Sequence, residues 1–282
     1  MKRHTGEFSV RLMCRAFGVS RSGYYAWRVQ DGLSQQERAD AMLTEQIRCI
    51  FEQSGQTYGS PRVYAELKAQ GVRCSRRRVA RLMRQAGLTA TAARRQVRTT
   101  QSDGQQHDVT NLLARNFTAD APNRNWLVDI TAIWTDEGWL YLAGVLDVFS
   151  RRIVGWAMDD HMPDELTQAA LEMAILQRKP PDELLHHSDQ GRQYTSDDYQ
   201  ALLAKHHMLA SFSGVGCCYD NAPMESFWGT LKTELVYRQR YHTRAQAKAA
   251  IFAYIEGWYN RQRRHSTLGY LSPEQFEQQF QS

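Results

Sequence analysis

The order of apolar and polar residues changes character once along the chain. Up to residue 88 apolar residues recur at the three-to-four spacing of helices, and from Trp126 they gather into short β-rich runs. Residues 9–28 carry an apolar stripe at Val10, Met13, Cys14 and Phe17, then Gly18-Val19, then Ser20 as an N-cap. That is helix, glycine turn, capped helix, the outline of a helix-turn-helix. Residues 61–87 repeat the outline. Pro61 opens a helix that runs to Gln70, Gly71 ends it, and Ser75 caps a second helix whose apolar face is Val79, Leu82, Met83 and Ala86. Residues 89–110 have few large apolar residues and no periodicity, and read as linker.

The second half reads as strands and helices in alternation. WLVDITAIWT is a β-rich run, Asp136-Glu137-Gly138 a turn, WLYLAGVLDVFS a second strand and RIVGWAM a third, so that two adjoining hairpins form an antiparallel unit. Helix follows at 163–178, a fourth strand in ELLHHSD, helix at 196–208, a fifth strand in LASFS, and helix from Pro223 to about Tyr237. The last expected element, 243–260, is capped by Thr243 and striped by Ile251, Tyr254, Ile255, Trp258 and Tyr259. A meander followed by helix–strand alternation is a mixed α/β sheet with helices packed on it.

Charge sharpens this division. Residues 1–98 hold 19 Lys and Arg against 7 Asp and Glu, whereas residues 99–282 hold 16 against 23. A basic front on an acidic back points the front at nucleic acid, the plainer alternative being a solvated basic surface. On the second helix of the 61–87 hairpin, Arg77, Arg81 and Arg84 lie at i, i+4 and i+7, flanked by Arg76 and Arg78. An arginine-studded helix after a glycine turn is what major-groove recognition requires, so these five are the candidate DNA-binding residues. A solvated basic helix is the alternative; only one acid, Glu66, falls between 60 and 98 to balance it.

Other classes recede. With 42% hydrophobic and 23% charged residues the composition is that of an ordinary globular chain. There is no 18-residue apolar run for a membrane span, and no long apolar stretch near the N-terminus for a signal peptide, so a cytosolic protein is expected. Five cysteines, odd in number and without a C-x-x-C, argue against a disulfide framework or a structural zinc site.

Three carboxylates stand out. Asp129 interrupts an apolar strand between Val128 and Ile130, where an unpartnered charge is costly. Asp189 ends the fourth strand, where α/β sheets place ligand sites, and Glu225 sits in the first turn of a Pro-opened helix. Singly each has a plain role: an ion pair, a loop start, a complement to the helix dipole. Together they offer hard oxygen ligands at one sheet edge, with 35 residues between Asp189 and Glu225, which suits Mg²⁺ or Mn²⁺ over zinc. Of His186 and His187, one is expected in the core and one in solvent, neither as a ligand. Asp147 is expected to pair with Arg151 or Arg152, and Asp220 to stabilise the following helix or to lie near the metals.

Several stretches carry a resemblance: W-x-V-D-I-T at 126–131, LDVFSRRIVGWAM at 146–158, HHSDQGRQY at 186–194, CYDNAPMESFWGTLKTEL at 218–235 and YNRQRRHSTLGYLSPEQF at 259–276, with GVSRSGYYAW at 18–27 in front. In these the chain resembles the insertion-sequence transposases of the retroviral-integrase-like superfamily, specifically their second-reading-frame product, over nearly its whole length. The resemblance implies a ribonuclease-H-like core of five mixed strands preceded by helix-turn-helix modules. It implies Asp129, Asp189 and Glu225 as the Asp-Asp-Glu metal triad, holding a pair of Mg²⁺ ions for which Mn²⁺ substitutes. It implies Lys232, seven residues after the glutamate, as a DNA-contacting lysine. The His-His-Cys-Cys zinc module of retroviral integrases is absent and is not expected.

The expected organisation is a helical DNA-binding region at 1–88, a linker at 89–117 and a catalytic core with a helical extension at 118–282. The expected activity is cleavage at element ends followed by 3′-OH strand transfer into target double-stranded DNA. The resemblance further implies a homo-oligomer in the synaptic complex, assistance by or fusion to an upstream-frame helix-turn-helix product, and a bacterial, nucleoid-associated location. A hydrolytic ribonuclease-H-like nuclease would keep the triad without needing the basic hairpins. A DNA-binding regulator would leave the triad unused.

Overall fold

A computed structural model of the chain describes residues 1, 4, 6–29, 34–91, 111–214 and 218–281. Most of the expected linker, residues 92–110, therefore lies outside the described residues, as does Cys217. The expected first hairpin forms from α1 (Val10–Ala16) and α2 (Arg21–Val29). Ser9 caps α1 by accepting the Leu12 N–H, and Gly18 takes the left-handed conformation, φ +63°, that the turn requires. Met13 and Cys14 are buried as the stripe predicts, but Phe17 is 67% exposed. It is the C-cap of α1, where the backbone leaves helical geometry and carries the side chain off the stripe.

Three further helices make a small bundle: α3 (Gln35–Gln53), α4 (Ser60–Ala69) and α5 (Arg76–Gln85). Helix α3 is not among the elements expected from sequence. Its start is a capping box, Ser34 and Glu37 bonding each other's backbone N–H, and its inner face is Leu43, Ile47, Ile50 and Phe51. These pack on Val63 and Leu67 of α4 and on Val79, Leu82 and Met83 of α5. Ser75 caps α5 as expected, accepting from the Arg78 N–H.

The second half forms one five-stranded sheet ordered β3-β2-β1-β4-β5, from β1 (Asn125–Thr135), β2 (Gly138–Asp147), β3 (Ile153–Asp159), β4 (Leu185–Ser188) and β5 (Leu209–Phe212). The β1–β2–β3 meander is antiparallel, and β4 and β5 run parallel to β1. Between them lie α6 (Asp164–Arg178), α7 (Arg192–Thr195) and α8 (Asp197–Lys205), whose apolar faces bury Val128, Val145 and Val154 on one side of the sheet. The other side carries Leu127, Ile133 and Leu142 under α9 (Ala222–Glu234) and α10 (Arg244–Phe252), which continues as a π-helical stretch over Ala253–Tyr259. This alternation of inward sides along β1 follows from the two-residue period of a strand. No described helix is long and apolar enough to cross a membrane.

The expected last element is not the last. A helix α11 (Pro273–Gln281) follows, and its Glu277 plugs the corner between β2 and β3. Glu277 accepts from Ser150 Oγ at 2.7 Å and from Arg178 at 2.8 and 2.9 Å, and pairs with Arg152 at 3.1 Å. Asp147 therefore does not pair with Arg151 or Arg152. It accepts the Asn123 and Phe149 N–H groups at 2.7 and 2.8 Å, and its nearest ion-pair contact is Arg178 at 3.8 Å. Arg152 is taken by Glu277, and Arg151 turns to the Phe117 carbonyl.

The helical bundle is bolted to the sheet domain at one joint. Arg264 donates to Glu66 Oε2 at 2.5 Å and to the Tyr270 carbonyl, and its own N–H is accepted by Tyr58 Oη. Arg62 donates back to the Arg264 carbonyl at 3.0 Å, Arg238 donates to the Gly55 carbonyl, and Trp258 stacks against Tyr58 with ring centroids 5.6 Å apart.

Candidate active site

Asp129 lies in the middle of β1, opposite Gly144 of β2. A Cβ at residue 144 would stand 2.8 Å from Met224 Cε and 2.9 Å from the Trp228 ring, so the glycine is what lets α9 settle onto the strands. Trp228 then donates its indole N–H to Asp129 Oδ2 at 3.0 Å, and the Ile130 N–H donates to Oδ1 at 2.8 Å. No periodicity in the sequence distinguishes an indole that packs from one that, like Trp228, also donates.

The other two carboxylates act on Asp129 electrostatically. Its carboxyl is pushed up to about 7, first by burial and then by the negative charge of Asp189, with a smaller push from Glu225 that the two hydrogen bonds oppose. Asp189 leaves the end of β4 into solvent, its Oδ1 accepting the Gly191 N–H at 2.9 Å. Glu225, exposed in the first turn of α9, is also raised, by burial against its surroundings. Lys232, two turns further along, is partly buried, which lowers its ammonium, and feels the opposing attraction of Asp129. Glu225 and Lys232, seven residues apart on α9, therefore both act on Asp129. Among the described residues the three carboxylates do not close into a set with oxygens all within 4.8 Å; the set that does is Asp159, Asp160 and His161, at the end of β3.

Two buried polar atoms near the carboxylates have no partner: Tyr194 Oη, whose phenol is raised by burial and then by Asp129, Tyr199 and Asp189, and Asn221 Oδ1. Asn221 Nδ2 donates to the carbonyl of Val128, next to Asp129 in the chain. Neither residue was singled out from sequence, since an Asn before a helix and a Tyr in a loop are commonplace.

The expected split of the two histidines is corrected: both are buried. His186 bonds Tyr199 Oη at 2.9 Å, and His187 bridges Ser211 and Ser213 at 2.9 and 3.1 Å. Both sit inside β4, an interior strand between β1 and β5 whose two faces are covered. Burial drives the two imidazoles down to about 3 and about 4, so both are neutral. Asp220 is also committed, to Arg115 at 2.6 Å, Asn111 at 3.0 Å and the Gly214 N–H at 3.0 Å. It ties residues 111–115 to the loop before α9.

The arginines of α5 divide into two groups. Arg78 and Arg81 grip Asp40 of α3 at 2.6 and 2.7 Å. Arg76, Arg77 and Arg84 are exposed on the same helix.

Residues 119–218 and 225–280 each match a family model described as integrase core domain, and residues 37–96, which span α3 to α5, match one described as HTH-like domain. The insertion element IS600 uncharacterized 31 kDa protein of Shigella sonnei is 44% identical over 268 residues, 95% of this chain and 98% of that protein. The transposase InsF for insertion sequence IS3A of Escherichia coli strain K12 is 42% identical over 278 residues, 98% of this chain and 96% of that one. This chain belongs to the insertion-sequence transposase family. The transposase also matches a solved HTLV-2 integrase catalytic core domain in complex with magnesium, at 18% identity and a TM-score of 0.43, over 56% of the transposase and 98% of that chain. The family match to α3–α5 puts the HTH-like module of the transposase in the second of the two hairpins expected from sequence, extended by α3.

Proposed function

We propose that this transposase cuts phosphodiesters at the ends of its element and joins the exposed 3′-OH to target double-stranded DNA, with Asp129, Asp189 and Glu225 holding the metal. The observation that carries this reading is electrostatic: the charges of Asp189, just past β4, and of Glu225 and Lys232, on α9, all act on the Asp129 carboxylate. The donor set fits Mg²⁺, with Mn²⁺ as a substitute, because it consists of hard carboxylate oxygens and the adjacent histidines are both occupied. Asp129 is half-buried with two like charges acting on it, and Asn221 Oδ1 is a further oxygen without a donor. A pair of such ions, when bound, activates the attacking oxygen and stabilises the leaving one.

The chain's own residues do the holding. Trp228 and the Ile130 N–H fix the Asp129 carboxylate, and Lys232 meets a DNA phosphate beside it. Arg76, Arg77 and Arg84 contact DNA from the outer face of α5, while Arg78 and Arg81 contribute by fixing that helix on Asp40 and by their remaining donors. The reading keeps the division into a DNA-binding region at 1–88, a linker at 89–117 and a catalytic core at 118–282. It places the protein on the bacterial nucleoid, as a homo-oligomer that brings two ends together, with an upstream-frame helix-turn-helix product assisting or fused.

The test is Mg²⁺-dependent cleavage of duplexes carrying the element's ends. Asp129→Asn, Asp189→Asn and Glu225→Gln should each abolish cleavage and leave duplex binding nearly unchanged. Near-wild-type cleavage by any one of them removes that residue from the site.

A further inference from the structure

A cavity of about 310 Å³ opens beside the first turns of α9, at the junction of the helical bundle and the sheet domain. Three guanidiniums line it, each from a different part of the chain: Arg62 from α4, Arg151 from the β2–β3 corner and Arg263 from the segment after the π-helical stretch. Ser226 and Thr230 of α9 add hydroxyls to its wall, and no carboxylate is among its described lining residues.

Of the three cations only Arg263 has a carboxylate partner among the described residues. Glu234 takes two donors of Arg263, at 2.7 and 2.8 Å, and accepts from Tyr254 as well. Arg62 spends its Nε on the Arg264 carbonyl. Arg151 spends Nη2 on the Phe117 carbonyl, and its buried Nη1 has no partner. Burial, with repulsion from Arg263, holds the Arg62 guanidinium below its usual range, and burial does the same to Arg151. His265 in the same wall is driven down to about 2, by burial and then by Arg263, Arg62 and Arg151, so it adds no charge but registers the positive field.

Forked guanidinium donors with hydroxyls around a positive hollow are the chemistry that takes a phosphate. The place matters as much. Ser226 and Thr230 lie one turn apart on α9, and Ser226 follows Glu225 directly, so the cavity wall and the candidate metal site are neighbouring faces of one helix. We infer that this cavity seats a phosphodiester of the DNA backbone, at a step along the strand from the one held at Asp129. The inference rests on the transposase reading for the identity of the ligand, and on the cavity alone for its charge and chemistry. Because Arg62 comes from the HTH-like module and the other residues from the sheet domain, the seat is complete only when the two are joined.

The experiment uses the full chain in two arms. In the first, thermal unfolding is followed with inorganic phosphate against chloride at equal ionic strength. Phosphate should raise the Tm of the wild type and do so much less for Arg151→Gln and for Ser226→Glu, which places a carboxylate at the exposed edge of the cavity. In the second, affinity for an end duplex is measured against salt. The slope of log affinity on log salt should fall by about 0.9 in either variant, the loss of one phosphate contact. Ser226→Glu serves if Arg151→Gln folds poorly, since Ser226 is exposed. Unchanged slopes in folded variants of a wild type that binds and cuts DNA overturn the inference and leave the transposase reading standing. A wild type that takes phosphate through Arg151 but neither binds nor cuts DNA overturns the transposase reading and leaves a phosphate seat.

Discussion

Trp228 reaches Asp129 through the space that residue 144 leaves empty, its indole N–H 3.0 Å from the Asp129 Oδ2. One residue without a side chain, one aromatic donor and one carboxylate thus set how far α9 stands from β1, and with it the distance from Asp129 to Glu225 and Lys232, which α9 carries.

Trp228→Phe keeps most of the packing and removes the donor. A hydrogen bond to a charged group is worth roughly 1.5–3 kcal/mol, so single-turnover cleavage should fall by roughly 10- to 100-fold while thermal stability changes little. Gly144→Ala should lower both, because its methyl must displace Met224 or Trp228. Cleavage by Trp228→Phe at the wild-type rate would show that the indole only packs.

The α5 arginines should separate by phenotype. Arg77→Ala and Arg84→Ala should weaken duplex binding and flatten its salt dependence with the Tm unchanged. Arg78→Ala and Arg81→Ala should lower the Tm, because each strips a partner from Asp40. Asp40→Asn should reproduce the stability loss. Thermal unfolding beside salt-dependent binding distinguishes the two groups.

His265 should make the fold sensitive to acid. The unfolded chain protonates this imidazole near its ordinary value of about 6.5, whereas the folded chain refuses the proton down to about 2. Its contribution is therefore fully present above pH 6.5 and is lost as pH falls, at about 1.4 kcal/mol per pH unit. Asp147, pushed up to about 6 by burial, acts in the opposite direction, so the difference between wild type and His265→Gln isolates the histidine. Denaturant unfolding of both proteins between pH 7 and 5 should show the wild type losing stability faster.

Glu277→Gln should destabilise the sheet domain although it lies on the last described helix. The charge it removes is shared by Arg178 and Arg152 in a buried corner, and breaking such a group costs about 3 kcal/mol or more. A Tm within a degree of wild type would mean that the corner tolerates unpaired arginines.

The sheet domain was legible because its strands are separated by turns and its helices carry single apolar faces, and Asp129 was legible because an acid inside WLVDITAIWT breaks its own strand's pattern. What stayed hidden joins residues far apart. Nothing local marks Trp228 as the partner of Asp129, 99 residues earlier, or Arg78 as the partner of Asp40. Helix α3 was readable in principle from Ser34-x-x-Glu37 and from the helical spacing of Leu43, Ile47, Ile50 and Phe51. The cavity of Arg62, Arg151 and Arg263 has no sequence signature, since three separate segments assemble it.

The joint made by Arg264 with Glu66 and Tyr58 has a consequence for the DNA. If, as proposed, α5 grips one stretch of duplex and Asp129 serves the cutting of another, the joint between them acts as a ruler. The number of base pairs between the gripped stretch and the cut phosphate is then written into the protein's shape. Inserting five base pairs between them turns the cut site to the far side of the double helix, whereas inserting a full helical turn restores its face and leaves only the distance wrong.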